Sequence, residues 1–96
     1  MKTHFNQSFL KNATETLRAI AHPIRIAIID LLYNSEGMIV TDIYQKLHIE
    51  QAIASHHLRI LKNKKVVSVQ KKGKKSLYSL EDKRFYAIIK TLIQTI

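Results

Sequence analysis

EQAIASHHLRILKNK, residues 50–64, decides how the chain is read. At about 100° per helical residue, Gln51, Ala52, Ser55, His56, Arg59, Lys62 and Asn63 fall within one arc of roughly 140°. Ile53, Ala54, His57, Leu58, Ile60 and Leu61 fill the opposite arc. The second arc is an anchor for a core. The first is small and polar at its start, basic toward its end, and free of carboxylates. A helix lying in the major groove of DNA needs that combination: short side chains admit the backbone, polar groups reach base edges, and cations meet phosphates.

Just upstream, Thr41 is placed to cap a short helix over Asp42–Leu47, with Ile43 and Leu47 as its buried stripe and Tyr44 alongside. Only Leu47-His48-Ile49-Glu50 separates it from the central helix, which is the spacing of a helix-turn-helix. His48 occupies the turn, and histidine tolerates a left-handed backbone better than most residues. Downstream of Lys65 the period falls from 3.6 to 2. Val67 and Val69 alternate with Ser68 and Gln70, and a second β-like run covers Leu77–Leu80. Between them Lys71-Lys72-Gly73-Lys74-Lys75 forms a basic finger around one glycine, so the pair is expected to be a β-hairpin. A hairpin directly after a helix-turn-helix is a wing, placed to touch backbone or minor groove.

Toward the amino end, Phe5, Phe9, Ala13, Leu17 and Ile20 recur at helical spacing with Leu10 beside them, predicting a first helix over residues 5–20. Ala21-His22-Pro23 breaks it, and Pro23 suits the first turn of a second helix, Ile24–Leu32, which is apolar nearly all round. Arg25 and Asp30 interrupt that helix, as an exposed edge or an internal ion pair. Asn34-Ser35-Glu36-Gly37 then ends it in turn residues. At the carboxyl end Phe85, Ile88, Ile89, Leu92, Ile93 and Ile96 follow a helical stripe without error, with Glu81 and Asp82 at the expected N-terminus. A stripe that wide could simply cover the core, but an aliphatic tail running to the last residue is better explained by a partner copy. Phe5, Phe9, Phe85, Ile88, Ile89, Leu92, Ile93 and Ile96 are therefore the expected dimer interface, and a two-fold dimer is the commonest closed form.

Length and composition narrow the field further. Ninety-six residues at 46% hydrophobic make a single domain over residues 1–96 with a small core. With no cysteine, disulfides, thiolate metal sites and thiol switches within the chain are excluded. The start, MKTHFNQSFLKN, lacks the apolar stretch of a signal peptide, so a soluble, cytoplasmic protein with no membrane partner is expected. Net charge is +9, and residues 51–80 carry Arg59, Lys62, Lys64, Lys65, Lys71, Lys72, Lys74 and Lys75 with no acid at all. A one-signed field of this kind attracts polyanions. An anionic membrane is the rival, weakened because Lys71–Lys75 flank a turn and do not form the polar face of a helix.

The five histidines invite a metal reading that their spacing does not favour. His56 and His57 are neighbours pointing about 100° apart, unlike a chelating i, i+4 pair. His57 is expected to be a core histidine and His56 a DNA contact, with His22 part of the helix junction and His4 a frayed terminus. No Ser-His-Asp order, paired carboxylates or phosphate-cradling glycine loop is present, and Ser55 beside His56 lacks an orienting acid, so an enzyme is not expected.

Three segments in order resemble the winged-helix repressors of the arsenical-resistance (ArsR/SmtB-type) family, over about residues 15–95. Leu17-Arg18-Ala19-Ile20-Ala21-His22-Pro23-Ile24-Arg25 is similar to that family's LxALAxPxRxxIL junction. Residues 51–61, Gln51 to Leu61, resemble its QSxVSxHLxxL recognition helix, and Lys72-Gly73-Lys74 through Leu80 its wing. The resemblance implies a homodimer that binds an operator and releases it on meeting an inducer, usually a metal ion or an oxidant. Both familiar sensing sites are altered here. Ile39 and Thr41 stand where the cysteine-rich ELCVCDL box has thiolates, and the last-helix site keeps Asp82 but has Arg84 and Thr95 in place of two ligands. No metal or other cofactor is assigned, and the inducer stays open.

The expectation is thus a mainly α protein with a small β-hairpin, a winged helix-turn-helix of order α-α-α-α-β-β-α. It is expected to act as a homodimeric transcriptional repressor on double-stranded, palindromic operator DNA. Gln51, Ala52, Ser55 and His56 would read base edges, Arg59 base or phosphate, and Lys62, Lys71, Lys72, Lys74 and Lys75 phosphates. The alternatives are a winged-helix protein-interaction module and a non-specific architectural DNA binder.

Overall fold

In the computed structural model, which describes all 96 residues, five helices frame a small antiparallel sheet. They follow in the order α1 Gln7–Ile20, α2 Pro23–Tyr33, β1 Met38–Ile39, α3 Val40–Leu47, α4 Gln51–Asn63, β2 Val67–Lys72, β3 Lys75–Leu80 and α5 Arg84–Gln94. The sheet has the order β1-β3-β2.

Local chemistry sets most of these boundaries. The Asn6 side chain accepts the backbone N–H of Ser8 at 2.8 Å and starts α1, which leaves Phe5 ahead of the helix and not within it. Pro23 opens α2, and His22 caps it by accepting the N–H of Ile24 on Nδ1 at 3.1 Å. At the turn before α4, His48 adopts the left-handed conformation expected of it (φ 54°, ψ 44°), and the N–H groups of His48 and Ile49 close on the carbonyls of Gln45 and Tyr44.

Further expectations are corrected. Thr41 is not the cap of α3: the helix begins at Val40, behind Ile39, with no side-chain cap. The reason lies in long-range pairing, because Met38 and Ile39 form a third strand against Tyr78 and Leu77, and the chain passes from strand into helix without an intervening loop. The sheet is accordingly three-stranded and the element order gains β1. The basic finger is also shorter than its sequence suggests. Lys72 pairs with Lys75, so only Gly73 and Lys74 form the loop, and Lys71, Lys72 and Lys75 sit on the strands. Gly73 has φ +64° and Lys74 does not, the pattern of a type II′ hairpin turn. Finally, α5 starts at Arg84 and not at Glu81, because the N–H of Glu81 is tied to the carbonyl of Val66 at 3.0 Å as an extension of the strand pairing.

The core draws on nearly every element. Ile28, Ile29 and Leu32 of α2 meet Ile43 of α3, Leu58 and Leu61 of α4, and Val66 and Val67 at the entry to the wing. Ile89 is the residue that closes α5 onto it. Burying eight such branched side chains at under 2% exposure stabilises the fold by about 1.5–3 kcal/mol for each side chain. Along the wing, Val67 faces Leu80 and Val69 faces Tyr78 on the inner side, while Ser68 and Ser79 meet on the other with their hydroxyls 3.2 Å apart.

Candidate nucleic-acid interface

The two arcs of α4 separate in space as their chemistry requires. Ala54, His57, Leu58 and Leu61 are buried, whereas Gln51, Ala52, His56, Arg59, Lys62 and Asn63 are exposed and Ser55 is half-buried on the same side. Ile53, placed on the anchor arc by its periodicity, is exposed to 39%. It lies at the edge of that arc, about 60° from His56, in the first turn where neighbouring elements cover less of the helix. Its position at the margin of the arc was the signal available from sequence.

Lys71, Lys72, Lys74 and Lys75 are all exposed along the outer half of the wing, and the Cβ that Gly73 lacks would meet nothing within 4 Å. Neither Arg59 nor any lysine of the wing is held by an acid: the chain's two ion pairs are Lys64 with Glu15 and Arg84 with Asp82. The cations of this face are therefore not neutralised from within the chain.

Behind the exposed arc stands a contact that sequence did not forecast. The His57 ring packs on that of His22 with centroids 4.3 Å apart and meets His56 edge-on at 5.0 Å. The Arg25 guanidinium lies 3.4 Å from Nδ1 of His57. His57 is a core histidine, as expected, and burial, followed by the neighbouring His22, Arg25 and His56, holds its pKa below the ordinary range. Arg25 thus props α4 and makes no ion pair with Asp30, which is exposed. With Nδ1 of His22 occupied as a helix cap and Nδ1 of His57 facing Arg25, the pair joins the start of α2 to α4.

The residues at the family's two metal positions do not fit a metal. Asp82 accepts the backbone N–H of Arg84 at 2.8 Å and its guanidinium at 2.6 Å, which pulls the carboxyl pKa down to about 2. Thr95 donates its hydroxyl to the carbonyl of Leu92, and Ile39 lies in β1. No three His, Asp or Glu side chains gather closely enough to hold an ion.

The terminal helices present apolar side chains outward. Phe5, Phe9 and Leu17 near and on α1, and Ile88, Leu92, Ile93 and Ile96 on and after α5, are each about half exposed or more. Phe85 is half-buried, and Ile89, expected to face a partner, is taken by the chain's own core at 4% exposure. No helix is long and apolar enough to cross a membrane.

Comparison with known proteins agrees with this geometry. Residues 22–69, from the cap of α2 through the start of the wing, match the family described as bacterial regulatory protein, arsR family. The transcriptional repressor SmtB of Mycobacterium tuberculosis is 39% identical over 83 residues, covering 86% of this chain and 61% of that protein. The chain thus spans about three fifths of that relative's length. The transcriptional repressor PagR of Bacillus anthracis is 34% identical over 83 residues, covering 86% of this chain and 83% of its own. Its crystal structure superposes with a TM-score of 0.82 at 32% identity, over 91% of this chain and 99% of PagR. A homodimeric winged helix-turn-helix DNA-binding domain from Mycobacterium bovis shares the fold at a TM-score of 0.84 and 21% identity, over 97% of this chain and 88% of its own.

Proposed function

Since the chain belongs to the arsR family of bacterial regulatory proteins, we propose that it is a transcriptional repressor that binds operator DNA in the cytoplasm as a homodimer. One observation carries the reading: an acid-free polar arc stands exposed on a helix whose other arc is locked in the core, beside a wing edged with four free lysines. Gln51, Ala52, Ser55 and His56 read base edges, and Arg59 reaches base or phosphate. Lys62, Lys71, Lys72, Lys74 and Lys75 neutralise phosphates. The exposed Ile53 adds an apolar side chain suited to a thymine methyl group.

Dimerisation is supported by the apolar side chains that α1 and α5 leave uncovered, so Phe5, Phe9, Phe85, Ile88, Leu92, Ile93 and Ile96 form the two-fold interface. Two recognition helices related by that axis engage half-sites about 34 Å apart, and the operator is an imperfect palindrome. The test is a binding titration against salt, using sites selected from random DNA and a scrambled duplex. A repressor gives a steep salt slope together with sequence preference; a steep slope without preference marks an architectural binder, and no binding marks a protein-interaction module. Ser55→Ala should cost about 1–3 kcal/mol at particular base pairs only. An equal loss on both duplexes would remove Ser55 from base reading.

A further inference from the structure

A cleft of about 380 Å³ opens between α1, α2 and α4, along the edge of α4 where Asn63 of the polar arc meets Ile60 of the apolar one. Arg18 from α1, Arg25 from α2 and Lys64 at the end of α4 line it, with Glu15 as its single acid. Lys64 binds Glu15 at 3.0 Å and holds that carboxyl below its ordinary range. No acid lies within ion-pair distance of Arg18 or Arg25. Nε of Arg25 is buried with no hydrogen-bond partner, an N–H whose desolvation is otherwise uncompensated. The walls between these charges are apolar, formed by buried Ala19 and half-buried Ile60.

Three cations, one acid and an apolar wall describe a receptor for an anion that carries a hydrophobic body. The Glu15 carboxylate already shows that the rim accepts this group. We propose that the cleft is a binding site for a small organic carboxylate, its charge directed to Arg18 and Arg25 and its apolar part resting on Ala19 and Ile60. Because Ile60 and Asn63 belong to α4 and Lys64 follows as its C-cap, occupation shifts the anchoring of the recognition helix and changes DNA affinity; this second half rests on the DNA-binding reading above. The cleft stays open in the proposed dimer, since Glu15 and Arg18 lie about 120° and 180° around α1 from Phe9.

Sodium benzoate tests the site on the full chain without DNA, with uncharged benzamide as its neutral isostere and inorganic phosphate as an anion without an apolar body. In amide NMR spectra, benzoate should give saturable shifts centred on Ala19, Ile60 and Asn63, while benzamide and phosphate bind more weakly. Arg18→Gln, an exposed change that leaves the core intact, should weaken benzoate about fivefold to tenfold. Glu15→Gln removes the competing carboxylate and should tighten it about threefold. Equal shifts with benzamide, no saturable shift at these amides, or weaker binding in Glu15→Gln would overturn the site, and phosphate matching benzoate would overturn the ligand class. The regulatory half is read separately, as a change in operator affinity at saturating benzoate that Arg18→Gln diminishes. Unchanged affinity in a protein that binds both benzoate and DNA would overturn that half alone.

Discussion

The apolar arc of α4 and the apolar stripe of α5 are equally regular in sequence, but they meet different fates. Leu58 and Leu61 are buried to 1% or less, whereas Leu92 and Ile93, on a stripe with more large aliphatic side chains, remain more than half exposed. The middle of the chain closes its own core because α1, α2, α3 and the sheet approach α4 from several directions. α5 comes after the last strand and rests chiefly on α2, and Ile89 alone of its large aliphatics is fully buried. Periodicity announces that a helix has an apolar face; it does not say whether that face is covered by the same chain.

This contrast can be broken most forcefully at the core. Leu58→Ala should lower unfolding free energy by about 2–5 kcal/mol, read as a shift in denaturant midpoint, because the site is enclosed on all sides and cannot collapse freely. At the other end, Leu92→Glu places a charge on an exposed surface and should leave the circular dichroism of the chain intact while shifting sedimentation from dimer to monomer. Operator affinity should then fall by about a hundredfold or more, through loss of the second half-site. Wild-type-like sedimentation in Leu92→Glu would remove the terminal helices from the dimer interface.

Acid sharpens the comparison from inside. His57 has its folded pKa depressed by burial and then by the neighbouring His22, Arg25 and His56, so below about pH 6.5 the unfolded chain takes up a proton that the folded chain resists. Stability from this group is fully present above pH 6.5 and is lost as pH falls toward the lowered folded value. Denaturant midpoints measured between pH 7.5 and 5.5 should therefore decline, and His57→Asn should flatten the decline. The opposite slope would mean that the His22–Arg25–His57 contact favours a charged ring. The smallest effect belongs to the wing tip, where Lys74→Ala should leave stability unchanged, weaken all DNA about equally and reduce the salt slope by about one unit.

Much of the design was legible in one dimension because it depends on nearest neighbours and on period. The division of α4 into two arcs, Pro23 at the head of α2, the left-handed turn at His48 and the alternation through Val67 and Val69 are all local consequences of side-chain type. The errors share a cause too. Strand β1 is two residues long and exists only because Leu77 and Tyr78 present it with an unpaired edge, and its formation moves the start of α3 ahead of Thr41. The strands of the wing run on to Lys72 and back from Lys75 because pairing, once begun, continues to the tightest turn that Gly73 permits.

For the candidate site the same division holds. Sequence alone determined which residues share the acid-free arc of α4, since the angular positions of Gln51, Ala52, Ser55, His56 and Arg59 and the absence of acids from residues 51–80 follow from order and composition. Only the tertiary structure decided what supports them and what flanks them. Arg25 and His22 lie far from His57 along the chain, and no local rule brings them together; packing of α2 across α4 does so, and it also encloses the cleft beside Ile60 and removes Ile89 from the outer face of α5. Helical phase is a property of a segment, whereas burial and pairing are properties of the pairs of segments that come to touch.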